Sequence, residues 1–89
     1  MVRKSIQFFG RVQGVGFRYR AFYAAQSFRC TGWVKNEWDG SVLMEIQGSE
    51  ETIDKVCMEI ADGTFVHIED IKVKVLPLVE NERSFKVRY

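Results

Sequence analysis

The stretch GRVQGVGFR at residues 10–18 places Gly10, Gly14 and Gly16 close together, directly ahead of a segment with helical character. Glycines at this spacing let successive backbone N–H groups converge on one point, and a helix N-terminus behind them adds a positive partial charge. Such a loop suits a phosphate, with the amides of Gln13, Gly14, Val15, Gly16 and Phe17 as donors. Arg18, on the first helical turn, can fork onto two phosphate oxygens, which a lysine can meet only as a point charge. No Gly-Lys-Ser/Thr follows, so this is not a nucleoside-triphosphate loop, and Tyr19 stands where a dinucleotide fingerprint needs its third glycine. The same residues also fit a plainer reading, in which the glycines serve only a tight strand-to-helix connection and Arg18 is a solvated helix residue.

The residues missing from this region narrow the chemistry. Residues 10–28 contain no histidine, cysteine or carboxylate, so neither a covalent nucleophile nor a dedicated general acid is in view. A phosphoryl transfer that needs neither is one whose leaving group is already stable. A carboxylate expelled from a mixed carboxylic–phosphoric anhydride is such a group, and positioning and charge stabilisation then carry the catalysis. An acyl phosphate fits this inventory, whereas a phosphate monoester, which must expel an alkoxide, does not.

The elements that must position these residues follow from periodicity. Ile6 and Phe8 alternate with polar neighbours, predicting a strand over about residues 3–9 that Gly10 ends. Phe17, Ala21, Ala25 and Phe28 fall at helical spacing, predicting a helix over 17–28. Strands over 31–36 and 41–48 flank Asp39-Gly40, a strong hairpin signal because both turn residues tolerate positive φ. Ser49 as N-cap, Glu50 and Glu51 in the first turn, and the stripe Ile53, Val56, Cys57, Ile60 predict a second helix over 50–61. A strand with a bulge around Glu69-Asp70 runs to Pro77, and Phe85, Val87 and Tyr89 form a last strand. The order strand, helix, strand, strand, helix, strand is the α+β ferredoxin-like pattern, βαββαβ plus a short terminal strand. In it, two helices cover one face of a mostly antiparallel sheet.

That topology brings Asn36 into range. A crossover through helix 17–28 makes the first two strands parallel, so Asn36 and the loop share one edge of the sheet. With one strand between them they are about 10 Å apart, room for a phosphate and one water that the Asn36 amide can orient. The alternative is that Asn36 is only a polar cap ahead of the hairpin.

At 89 residues, with 46% hydrophobic and 28% charged residues, the chain is expected to form one domain over 1–89. No apolar run nears the ~18 residues of a membrane span and no signal peptide is evident, so a cytoplasmic protein is expected. Cys30, Cys57 and His67 are too few for a zinc site of the usual four ligands, and a Cys30–Cys57 bridge is disfavoured in a reducing compartment. The net charge of +1 hides an asymmetry. Residues 1–36 carry Arg3, Lys4, Arg11, Arg18, Arg20, Arg29 and Lys35 and no acid, whereas residues 37–70 carry ten acids against Lys55. Either two complementary solvated faces or an anion site accounts for this. Trp33 and Trp38 read as strand packing and hairpin cover, and His67 as a surface or edge residue. Both helices being spent on the sheet, no apolar stripe is expected to remain uncovered, which makes a monomer the default.

GRVQGVGFRYR at 10–20, TGWVKN at 31–36, the Asp-Gly turn at 39–40 and SFKVRY at 84–89 closely resemble the acylphosphatases, and the likeness covers essentially the whole chain. The resemblance implies hydrolysis of small acyl phosphates to carboxylate and inorganic phosphate, with no metal and no cofactor. It implies that Arg18 binds the phosphate with the amides of 13–17 and that Asn36 orients an in-line water. The chain departs from the family pattern at Phe28-Arg29-Cys30, where glycine is absent past the helix end, and at Asp62-Gly63-Thr64-Phe65 after the second helix. Two other readings stand beside it. One is an acylphosphatase-like domain that is inactive, or specialised for carbamoyl phosphate or another anion. The other is an RNA-binding ferredoxin-like module, against which the position of QGVGFRY after only one strand argues; no nucleic-acid or membrane partner is expected.

Overall fold

In the computed structural model, which describes residues 1–89, the order is β1 (Val2–Arg11), α1 (Phe17–Ser27), β2 (Thr31–Asn36), β3 (Val42–Gly48), α2 (Glu50–Ala61), β4 (His67–Leu76) and β5 (Phe85–Arg88). The strands form one sheet in the order β4-β1-β3-β2-β5, antiparallel except for the β2–β5 pair. Because β1 and β2 are both antiparallel to β3, which lies between them, they run the same way, as the crossover argument requires. The ferredoxin-like expectation is met, with two helices on one face of the sheet.

Registers show which side chains share that face. Phe8 pairs with Val42 and Ile6 with Met44, and these strand residues pair in turn with Asn36 and Val34. Directly opposed residues point to the same side, and Ile6, Phe8, Val34, Val42 and Met44 are all buried under the helices. α1 packs on β2 and β5, α2 packs on β3, and the helices pack on each other. Ala21, Ala24 and Ala25 are buried in α1, small side chains that let the helix lie close to the sheet. No helix is long and apolar enough to cross a membrane.

Some expectations are revised. β1 continues past Gly10 to Arg11, because the extra residue Glu69 in β4 shifts the register between Phe9 and Gly10 and pairing resumes with Ile68 and His67. The bulge thus falls where alternation breaks in the sequence. Ile71, Val73 and Val75 remain 44%, 53% and 74% exposed. They lie on the helix side of β4, but the helices stop short of this edge strand, so an apolar stripe does stay uncovered. Trp38 is 98% exposed and covers nothing. In the hairpin only Gly40 has positive φ (92°), while Asp39 acts through its carboxylate, which accepts from Ser41 N–H at 2.9 Å and Ser41 Oγ at 2.6 Å. Those bonds hold the Asp39 carboxyl below its ordinary range. Both cysteines are free, and burial pushes the Cys57 thiol up to about 11.

α1 ends without glycine. Cys30 N–H reaches Ala25 O at 2.8 Å and Arg29 N–H reaches Gln26 O at 3.1 Å, a closing turn that forces Arg29 to a φ of 59°. A side chain in that left-handed region is strained by about 1–2 kcal/mol, partly offset by the extra freedom glycine has when unfolded. Arg29→Gly is therefore expected to stabilise the protein by about 0.5–1 kcal/mol in urea denaturation.

The other face of the sheet carries a buried cation. Arg3, 2% exposed, donates from Nε to Glu45 at 3.0 Å and from Nη1 and Nη2 to the two oxygens of Glu82 at 2.7 and 3.3 Å. Gln47 accepts from Arg3 at 3.3 Å and exchanges two hydrogen bonds with the Val79 backbone, at 2.9 and 3.0 Å. Together they clasp the connection between β4 and β5 to the central strands. Burial opposes ionisation of Glu82, yet the hydrogen bonds from Arg3 and Thr31 and the Arg3 charge outweigh it and lower its pKa. The stabilisation is complete above the unfolded carboxyl's pKa of about 4.3 and disappears as pH falls through the lower folded value. Glu82→Gln is expected to lower stability near neutrality by about 2 kcal/mol, since hydrogen bonds to charged groups contribute about 1.5–3 kcal/mol. It should also flatten the acid side of a thermal-melt series between pH 3 and 7, where an unchanged slope would remove Glu82 from the account.

Candidate active site

The loop between β1 and α1 is held at both ends by buried side chains, Val12 (0% exposed) and Phe17 (2%). Phe17 packs edge-on against Phe8 with centroids 4.9 Å apart, which seats the first turn of α1 over β1. Between these anchors Gly14 and Gly16 adopt φ of 72° and 78°, left-handed values that glycine takes without strain. A Cβ at either position would meet no atom within 4 Å, so the loop faces open space.

The two helices begin differently. α2 is capped by Ser49 Oγ, which accepts from Thr52 N–H at 3.1 Å, and has Glu50 and Glu51 in its first turn. α1 starts at Gly16 with no side-chain cap and no acid in its first turn, and its first chain-internal bond at this end runs from Arg20 N–H to Gly16 O. The N–H groups of residues 14–19 therefore lie around the positive end of the helix dipole with no acceptor from the protein. This is the local electrostatics of an anion site.

Gln13 contributes its side chain as well as its position. Its Nε2 donates to Glu37 O at 2.7 Å and Ser41 O at 2.9 Å, strapping the loop to the β2–β3 hairpin. The strap also fixes the hairpin end that follows Asn36. Asn36 is half-buried on the helix side of the sheet, in register with Val42 and, through it, with Phe8. No buried side-chain nitrogen or oxygen of the protein lacks a partner. The Asn36 amide makes no hydrogen bond of its own within the chain and so reaches the surface.

Arg18 is half-buried, and its Nη1 donates to Arg88 O at 3.2 Å. Arg88 is in register with Lys35, the residue before Asn36. Arg18 and Asn36 therefore lie toward the same end of the sheet, on elements about one to two strand spacings (about 5–10 Å) apart. The role of β5 in this was not visible in the sequence, because nothing in the alternation of 85–89 says that the strand pairs with β2. Elsewhere the charge asymmetry is in part complementary: Lys4 pairs with Glu50 at 3.1 Å and Arg3 with Glu45 at 3.0 Å. No group of three or more His, Cys, Asp or Glu side chains is placed to hold a metal ion. His67 lies exposed at the start of the edge strand β4.

The sequence matches the Acylphosphatase family over residues 4–87. It is 48% identical over 90 residues to the acylphosphatase of Clostridium acetobutylicum, covering 100% of this chain and 99% of that one. The fold superposes on the crystal structure of acylphosphatase from Bacillus subtilis with a TM-score of 0.91 at 34% identity, with 100% of both chains covered. It also superposes, with a TM-score of 0.84 at 29% identity, on full-length HypF in its phosphate- and nucleotide-bound form; 99% of this chain is covered but only 12% of HypF. With a family match over nearly all of its length and a full-length relative at this identity, the chain belongs to the acylphosphatase family.

Proposed function

We propose that the protein hydrolyses the carboxyl–phosphate bond of small acyl phosphates, releasing a carboxylate and inorganic phosphate, without metal or cofactor. The observation that carries this reading is the uncapped N-terminus of α1 opening onto the Gly14–Gly16 loop with Arg18 on its first turn. The phosphate is held by the amides of residues 13–17 and by the guanidinium of Arg18, which together match its spread negative charge. Asn36 holds a water in line with the leaving oxygen, its amide oxygen accepting a hydrogen bond from the water. The water oxygen attacks phosphorus while the phosphorus–oxygen bond to the acyl group breaks, and the electron pair leaves on the carboxylate. The water's protons pass to the phosphate and to solvent. Because a carboxylate is a weak base, no general acid has to protonate it, in keeping with a site that has no acid within the loop or α1.

The test is the disappearance of benzoyl phosphate in the presence of a chelator, repeated with acetyl and carbamoyl phosphate. Turnover that survives chelation is expected for all three. Turnover of carbamoyl phosphate alone would favour a specialised enzyme. No turnover of any by the folded protein would leave the loop as an anion-binding site only.

A further inference from the structure

Arg18 is a long, flexible side chain, and a flexible arginine loses conformational freedom each time it closes on a phosphate. Here it is already ordered by two contacts from the far end of the chain. Its Nη1 donates to the carbonyl of Arg88 at 3.2 Å, and its Cζ lies 4.8 Å from the centre of the Tyr89 ring. The Tyr89 hydroxyl in turn lies 3.3 Å from that of Tyr19, the residue after Arg18 on α1. The contacts thus form a closed circuit from α1 through β5 and back. On the opposite face of the sheet the Arg88 guanidinium stacks 4.7 Å from the centre of Trp33, which holds the end of β5 in place.

We infer that Tyr89 is a positioning residue for Arg18, its ring and the Arg88 carbonyl forming a seat that presents the guanidinium to the phosphate loop, with Trp33 steadying the seat from the other side of the sheet. The inference rests on the phosphate-binding role of Arg18 proposed above. The seat occupies one face of the guanidinium and one of its N–H groups, leaving the other donors of the planar fork for phosphate oxygens. The seat serves positioning and not packing, because Tyr89 is 87% exposed and adds little to the core. Its phenol stays protonated above its ordinary range through the hydrogen bond with Tyr19, so the ring keeps its neutral face toward the cation.

The experiment compares Tyr89→Ala, Tyr89→Phe and wild type, with inorganic phosphate as the probe. Phosphate affinity is read by NMR titration of the loop amides and by competition against benzoyl phosphate, and the fold by thermal melting. Tyr89→Ala should weaken phosphate and raise KM by about two- to fivefold, the range of an exposed cation–π contact, with melting unchanged. Tyr89→Phe, which keeps the ring, should restore affinity. In an Arg18→Ala background the Tyr89→Ala change should have no further effect, as expected for residues acting in series. Wild-type affinity in Tyr89→Ala, or an equal loss with and without Arg18, would overturn the proposal. A wild type that binds phosphate without hydrolysing acyl phosphates would sink the hydrolytic reading, and the titration would still decide the seat.

Discussion

Replacing Arg18 by alanine is expected to lower kcat/KM for benzoyl phosphate by about a thousandfold, while circular dichroism and melting temperature stay close to wild type. The magnitude follows from what is removed. Deleting one well-placed neutral donor to developing charge costs about a hundred- to a thousandfold, and Arg18 offers a full charge and a bidentate fork. Part of the loss should appear as weaker competition by inorganic phosphate, because the guanidinium also meets the ground-state dianion. The fold should tolerate the change because the guanidinium has a single hydrogen bond within the protein and lies at the surface. Arg18→Lys should recover only a fraction, since a point charge cannot reproduce two parallel N–H···O bonds. A loss smaller than tenfold in the alanine variant would remove Arg18 from the site.

Asn36→Ala should separate differently. If the amide orients the attacking water, kcat should fall by about a hundredfold or more, with phosphate inhibition essentially unchanged. The competing account makes Asn36 a polar residue that only closes β2 ahead of the hairpin. It predicts a small loss of stability and nearly wild-type kcat. Steady-state kinetics with inorganic phosphate as inhibitor decides between them. A parallel loss of phosphate affinity would instead make Asn36 a phosphate ligand.

Much of this architecture could be read in advance because its causes are local. The stripe Ile53, Val56, Ile60 behind the Ser49 cap specifies α2, and Gly14 and Gly16 announce the left-handed turns of the loop. The common edge of Asn36 and the loop followed from the parallel crossover alone. What stayed illegible depends on tertiary placement. Gln13 was counted among the backbone donors, but its side chain straps the hairpin through carbonyls 24 and 28 residues away. Tyr89 read as one more alternating strand residue until β5 was found beside β2. Ile71, Val73 and Val75 have the alternation of a covered strand, and only the reach of the helices decides that they are not covered. Trp38 looked like hairpin cover because an indole so often packs, yet its position on the turn leaves it nothing to pack against.

The parallel pairing of β2 with β5 also has a kinetic meaning. The hydrogen bond from Arg18 to Arg88 joins residues 70 apart in sequence, and contacts of such separation are closed late because the intervening chain must be ordered first. The loop and α1 can form from the first third of the chain, but the arginine gains its partners only once the final strand has docked. Recovery of full phosphate affinity during refolding should therefore trail the return of helical signal, so that the enzyme's own ligand reports when its last strand has arrived.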